Sequence, residues 1–248
     1  MGKILSGAQV AAAINQDTAA RAADLRSRGV CPTLAILRVG DRPDDISYEK
    51  GAASLCAKLG VAVKRLPLPA AVSQAALLAQ LRQAEQDPGI HGLLPLRPLP
   101  KPLDDQALAA ALSPRLDVDG VTSASLMGVF ANTQAGYAPC TAQAVLEILD
   151  HFGYQLAGKR VTVIGRSLVV GKPLAMMLLN RNATVTICHS RSVDLAAQAR
   201  SSEILVAAAG QAALVDEDFV NPGQTVIDVG INFTPQGKLV GDVAFERV

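Results

Sequence analysis

Between Gly158 and Asn232 the chain carries four short, almost uninterrupted apolar runs, GKRVTVIG, ATVTICHSR, SEILVAAAG and TVIDVGIN, separated by segments of crossover length. Runs of this kind are strands covered on both faces, which means a parallel sheet with helices packed over it. The first run ends at Gly165. It passes through Arg166-Ser167-Leu168-Val169-Val170-Gly171 into a helix expected to start near Lys172 or Pro173, proline being tolerated at a first helical position. Strand, glycine turn and helix in a βαβαβ series predict a Rossmann-type unit, in which backbone amides of a helix N-terminus face a phosphate.

The glycines do not follow G-x-G-x-x-G, so the turn alone fits a plain structural turn as well as a nucleotide site. The end of the next strand separates the two. A site for NAD places a carboxylate there for the ribose hydroxyls, whereas a 2′-phosphate needs an arginine nearby. Here that end reads His189-Ser190-Arg191, and Arg166 lies in the glycine turn. Two guanidinium groups and a hydroxyl favour NADP, the bland alternative being a solvated basic corner. His189 is expected to pack or to sit partly exposed, with no proton-transfer role.

The first half reads as further αβ units. Ser6 to about Gly29 has helical spacing, TLAILRVG (Thr33 to Gly40) is a buried strand, Ile46 to Leu59 a helix, and VAVKRLPLP a strand stopped by prolines. Ser73 to Gln86 is a helix with a Ser start, and HGLLPLRPLPKPL is a strand breaking into a proline-rich loop. After the helix DDQALAAALS, the stretch Asp117 to Thr141 shows turn residues and no period, so the domain connection is expected there. Thr141 to Gly153 then reads as an amphipathic strut helix. The expected domains are residues 1–140 and 141–248.

An apolar share of 50% supplies a core, and 3% aromatic residues with no Trp suit helices close on a sheet better than an antiparallel sandwich. The net charge of +1 gives no global reason to expect nucleic acid or an acidic membrane as partner. Cys31, Cys56, Cys140 and Cys188 form no C-x-x-C pair, so neither zinc, nor any other metal site, nor a disulfide framework is expected. The opening MGKILSGAQVAAAINQ has no signal-peptide h-region and no segment is apolar for long enough to span a bilayer. A reducing cytoplasm is the expected compartment.

Tyr48, in ISYEKGAAS, lies just past a loop with two Asp and one Pro, where a cleft-facing ring competes with a core aromatic. Asp117 and Asp119, in DVDG, read first as turn formers. Together with GDRPDDISYEKGAASLCAKLGV, HGLLPLRPLP, SPRLDVDGVTS, PCTA, GRSLVVGKP, ATVTICHSR, ILVAAAG, TVIDVGIN and KLVGDV, these segments resemble the methylenetetrahydrofolate dehydrogenase/cyclohydrolase family over nearly the whole chain. PCT before the strut helix and GRS-x-x-VG-x-P in the turn are the specific motifs. The resemblance implies an N-terminal αβ lobe and a C-terminal Rossmann-type domain with a cleft between them, where tetrahydrofolate and NADP meet. It also implies a homodimer. The folate-stacking tyrosine falls on Tyr48, the aspartate holding the pterin on Asp119, and the nucleotide residues on Gly165, Arg166, Ser167 and Ser190, with Arg191 beside them.

Two family residues are replaced. The lysine four positions after the tyrosine is Ala52, and the glutamine of V-Q-L-P-L-P is Leu96. Hydride transfer from the methylene bridge needs positioning more than an acid or base, but ring opening after water addition moves protons. Dehydrogenase activity is therefore expected, with cyclohydrolase activity weak or lost. Lys50 is the nearby substitute, yet on a helix it points about 200° from Tyr48. A folate- or nucleotide-binding protein without turnover is the competing class, and a shikimate-dehydrogenase-like reductase trails because it leaves DVDG and PCTA unexplained. The family also has a Pro-Gly-Gly-Val-Gly loop and a last helix, whereas this sequence stops at Phe245-Glu246-Arg247-Val248.

Overall fold

The computed structural model describes residues 3–248, so of the sequence readings only those touching Met1 and Gly2 lie outside it. The chain divides into two compact units. One comprises residues 6–125 and 135–137. The other comprises residues 126–134 and 138–248 together with residues 3–5.

The first unit is built on a three-stranded parallel sheet. Its strands are β1 (Thr33–Val39), β2 (Ala62–Leu68) and β3 (Gly92–Pro95), in the order β2-β1-β3. Ala35, Ile36 and Leu37 of the central strand are fully buried, as expected where helices cover both faces. The helices are α1 (Gly7–Ser27), α2 (Pro43–Lys58), α3 (Gln74–Gln86) and α4 (Asp105–Ala111). α3 opens on Ser73, whose hydroxyl accepts from Ala76 N at 3.2 Å, and α4 on Asp104, whose carboxylate accepts from Gln106 N at 2.8 Å. Both are N-caps that satisfy an orphan amide of the first turn.

α2 starts three residues before the Ile46 expected from the sequence. Pro43 stands in its first turn, followed by Asp44 and Asp45, where acidic groups suit the helix N-terminus. The apolar spacing begins only at Ile46, which is why periodicity alone places the start too late.

A larger correction concerns Asp117 to Thr141, expected to be irregular. It contains α5 (Ser123–Ala131), inside which the chain passes from one unit to the other. Thr122 Oγ1 accepts from Ser125 N at 3.1 Å and acts as the cap. The helix has apolar residues around most of its circumference, so it lacks the one-sided period by which an exposed helix is recognised.

The second unit is a four-stranded parallel sheet in the order β5-β4-β6-β7, from β4 (Arg160–Ile164), β5 (Thr184–Cys188), β6 (Ile204–Ala207) and β7 (Thr225–Asp228). The chain runs from β4 outward to β5 and then returns to β6 on the other side of β4, so the strand order reverses beside β4. Doubly wound sheets bind their ligands at such a reversal, outside the carboxyl ends of the strands. Helices α6 (Cys140–His151), α7 (Gly171–Asn180) and α8 (Leu195–Arg200) accompany the sheet. The helix expected as a strut, α6, buries Ala142, Val145, Leu146 and Leu149 in the core of this unit, against Val163, Leu174 and Leu178.

Past β7 the fold departs from the sequence reading, because TVIDVGIN leaves the sheet at Asp228. A hairpin of β8 (Asn232–Phe233) and β9 (Leu239–Val240) follows. It is tied back by two carboxylates. Asp228 accepts from Gly230 N, Asp242 N and Val243 N, while fully buried Asp242 accepts from Ala209 N, Gly210 N and Asn232 Nδ2 at 2.6–2.9 Å. A Cβ on Gly230 or Gly241 would collide with these carboxylates, so both glycines are needed for close approach. Among the described residues no helix is long and apolar enough to cross a membrane.

Candidate functional site

In the first unit one buried ion cluster positions the helix that carries Tyr48. Glu49 of α2, 7% exposed, accepts from Arg38 Nε of β1 at 2.7 Å and lies 3.0 Å from Arg65 Nε of β2. A buried carboxylate is retained only with such partners, and here they fix the rotation of α2 on the sheet. The adjacent Tyr48 is thereby turned outward and is 60% exposed, which removes the core-aromatic alternative. Ala52 lies one turn further along the same face and is half-buried, whereas Lys50 is exposed. α2 is unbroken from Pro43 to Lys58, so Lys50 stands about 200° from Tyr48 around the helix axis.

The start of α2 is tied to the proline loop. Arg42 donates from Nε to Asp45 at 2.7 Å and from Nη2 to the carbonyl of Pro98 at 2.6 Å. That loop follows β3, with Leu96 buried at its base and its amide donating to Leu37 O at 2.8 Å. The peptide bonds Arg97–Pro98 and Lys101–Pro102 are cis.

The two aspartates of DVDG separate cleanly. Asp117 pairs across from Leu93 and is wholly buried, and its carboxylate accepts from Val121 N at 3.0 Å, Thr122 N at 2.8 Å and Ser125 Oγ at 2.6 Å. It is a turn-forming residue with its acceptor capacity taken up. Asp119, two residues on and half-buried, accepts no hydrogen bond among the described residues. Burial pushes its carboxyl above the usual range, the Asp117 charge adds to this, and Arg97 opposes it. A partly desolvated carboxylate left without a donor suits a ligand that brings its own N–H groups.

In the second unit, Gly165 ends β4 with φ +134° and its amide donates to Cys188 O of β5 at 2.8 Å. A Cβ here would collide with Ala208 O. At Gly171, the first residue of α7, a Cβ would collide with Gly165 O and come within 2.8 Å of Arg166 N. The turn is therefore closed so tightly on itself that only glycine fits at either end, and that brings the start of α7 against the strand end. Ser167 Oγ accepts from Val170 N at 3.0 Å and stiffens the turn, its own hydrogen remaining available to donate. Ile164 pairs with Cys188, so Arg166 and Ser190 emerge from adjacent strand ends. Arg166, Ser190 and Arg191 are all exposed. His189 Nδ1 accepts from Arg191 N at 3.1 Å and its amide donates to Ser192 Oγ at 2.9 Å, so the imidazole shapes the turn that presents Ser190 and Arg191.

An open cradle at the carboxyl edge of a doubly wound parallel sheet, closed by two obligatory glycines and flanked by arginines, defines a dinucleotide-binding α/β protein. The first unit offers an exposed aromatic ring, Tyr48, and a carboxylate, Asp119, that accepts no hydrogen bond among the described residues. The tetrahydrofolate dehydrogenase/cyclohydrolase catalytic domain matches residues 5–119, and the NAD(P)-binding domain of the same family matches residues 139–248. The chain belongs to that family. The bifunctional protein FolD of Alkaliphilus oremlandii is 44% identical over 246 residues, covering 99% of this chain and 86% of that protein. The bifunctional protein FolD of Carboxydothermus hydrogenoformans is 45% identical, covering 100% and 87%. Among solved structures, the bifunctional enzyme FolD of Campylobacter jejuni superposes with a TM-score of 0.97 at 34% identity, covering 99% of this chain and 87% of that one. The Trypanosoma brucei enzyme, solved in complex with NADP cofactor and inhibitor, gives 0.91 at 34% identity, covering 99% and 86%.

Sequence reasoning passed over Glu49 and Arg97. For Glu49 the signal is Arg38, a charge set inside the apolar strand TLAILRV, which needs an acid as partner. For Arg97 the signal is a charged residue set between prolines.

Proposed function

We propose that this protein oxidises 5,10-methylenetetrahydrofolate to 5,10-methenyltetrahydrofolate with NADP, and that its hydrolysis of the methenyl product to 10-formyltetrahydrofolate is weak or lost. Membership of the family supports the first half. The observation that carries the second is the half-buried methyl group of Ala52 on the Tyr48 face of α2, with apolar Leu96 buried at the base of the neighbouring loop.

The nicotinamide of bound NADP supplies the hydride acceptor. The glycine turn fits that cofactor, since Gly165 and Gly171 let the turn close on the strand end and bring the start of α7 to the carboxyl edge of the sheet. The Gly171 amide at the start of α7 and the Ser167 hydroxyl would donate to the phosphates, and Arg166, Ser190 and Arg191 would hold the 2′-phosphate by charge-assisted bonds. Tyr48 stacks on the folate ring and Asp119 accepts from its N–H groups. The cation left by hydride departure is stabilised by the two nitrogens of the folate itself, so these residues position and do not transfer protons.

Hydrolysis of that cation needs a group that moves protons during ring opening. Neither Ala52 nor Leu96 has one. Lys50 lies on another side of the helix from Tyr48. The same reading takes the protein to be a cytoplasmic homodimer with no nucleic-acid or membrane partner, for which sedimentation is the direct check on the dimer. The decisive assay follows NADP reduction by methylenetetrahydrofolate and then the decay of the methenyl product with and without protein. Reduction without accelerated decay is the expected result. No reduction despite binding of both ligands would identify a binding protein without turnover.

A further inference from the structure

Asp242 is wholly buried in the second unit and has no part in hydride transfer. Its Oδ2 accepts from Ala209 N at 2.6 Å and from Gly210 N at 2.9 Å, both in the loop after β6. Its Oδ1 accepts from Asn232 Nδ2 at 2.9 Å, in the segment that follows β7. The Asp242 amide in turn donates at 2.9 Å to Asp228 Oδ1 at the end of β7, an oxygen that also accepts from Gly230 N. One buried side chain therefore ties together the loops that leave two neighbouring strands of the sheet.

Both loops lie at the carboxyl edge, since β4, β6 and β7 run parallel. A Cβ on Gly165 would collide with Ala208 O, so the loop after β6 abuts the glycine turn itself. Ala209 and Gly210 are exposed although their amides point at a buried carboxylate. The loop thus turns these two amides inward and shows its other face to solvent. A doubly wound sheet binds a dinucleotide across the reversal of strand order, with one nucleotide on each side. The ends of β4 and β5 carry the groups assigned to the phosphates, which leaves the ends of β6 and β7 to the nicotinamide half.

We propose that Asp242 is a cofactor-positioning residue that holds the loops after β6 and β7 in the arrangement that seats the nicotinamide end of NADP. The proposal rests on the assignment of the phosphates to the glycine turn and the β4–β5 corner. Asp242 acts through the two loops and touches no reacting atom.

The test is calorimetric titration of the full chain, in wild type and Asp242→Asn, with two ligands. One is NADP and the other is adenosine 2′,5′-bisphosphate, which carries the 2′-phosphate and a 5′-phosphate but no nicotinamide. Asparagine keeps the shape of the side chain and replaces one acceptor oxygen by a donor, which sets it against either the Ala209 and Gly210 amides or Asn232. Asp242→Asn should bind NADP about tenfold more weakly, the scale of a buried hydrogen bond lost with its donor left unpaired, while its affinity for the bisphosphate stays within about twofold of wild type. A loss for the bisphosphate as large as that for NADP, or no loss for either ligand, would overturn the proposal and leave Asp242 a residue of the fold alone. Should Asp242→Asn fail to fold, Asn232→Ala removes one of the three donors and carries the same comparison, with an expected split of about threefold. Wild-type protein without measurable affinity for the bisphosphate would instead refute the placing of the phosphates, and the proposal with it.

Discussion

Arg42 Nη2 donates to the carbonyl of Pro98 at 2.6 Å, and through that bond the first turn of α2 and the loop after β3 hold one another in register. Tyr48 is carried by the helix and Leu96 by the loop, so the bond sets the spacing of two elements of the proposed folate site. Arg42→Ala should weaken folate binding by about three- to tenfold, the scale of one charge-assisted hydrogen bond on a partly exposed group. NADP affinity, measured on the same samples by fluorescence titration, should stay unchanged.

Gly171→Ala should be the most damaging single change in the nucleotide cradle. Its Cβ has no room against Gly165 O and Arg166 N, and both obstacles are backbone. Either α7 moves away from β4 or the turn opens, and each alternative displaces the Gly171 amide and the Ser167 hydroxyl proposed to face the phosphates. Loss of NADP binding together with a Tm lowered by several degrees is the expected outcome, read by titration and calorimetry.

Cofactor choice depends on exposed charge. Arg166, Ser190 and Arg191 follow the ends of the paired strands β4 and β5, and the end of β5 reads His189-Ser190-Arg191, with no carboxylate for the ribose hydroxyls. Arg166→Ala should therefore raise the KM for NADP by at least tenfold and that for NAD hardly at all. An equal loss for both cofactors would remove the 2′-phosphate assignment.

Ala52→Lys with Leu96→Gln should create hydrolysis of the methenyl compound while the rate of NADP reduction changes little. The new amine stands on the Tyr48 face of an unbroken helix. Lys50→Ala should leave hydrolysis at its wild-type level. Rapid hydrolysis by wild type that disappears in Lys50→Ala would show that the lysine reaches the site despite its position on the helix.

Asp119 trades stability for binding. Its folded carboxyl is raised above the ordinary value, chiefly by burial, so the folded state holds this proton more tightly than the unfolded chain does. Ionised Asp119 thus costs stability at neutral pH. That cost is relieved as pH falls through the folded pKa. Asp119→Asn should raise the Tm at pH 7, with less gain at acid pH, while tetrahydrofolate binding is lost. Parallel melting and binding curves check both halves.

The apolar runs, glycines and prolines of this chain were enough to specify two αβ assemblies, because those features depend on periods of two and 3.6 residues and on backbone that only glycine can adopt, while the reading of the glycine turn as a dinucleotide cradle also needed the strand end His189-Ser190-Arg191. The helical angle between Tyr48, Lys50 and Ala52 was equally legible, since it follows from helix geometry alone. The role of each DVDG aspartate was not. Asp117 and Asp119 have the same chemistry and nearly the same place in the sequence, and only the folded chain decides that three donors converge on the first while the second stands half-buried with no donor. Glu49 likewise looks like a surface residue of α2 until β1 and β2 bring Arg38 and Arg65 to it. Local sequence determines which conformations a segment can take. Burial, and the charges that long-range pairing sets side by side, decide which of its polar groups are used up by the fold and which remain for a ligand.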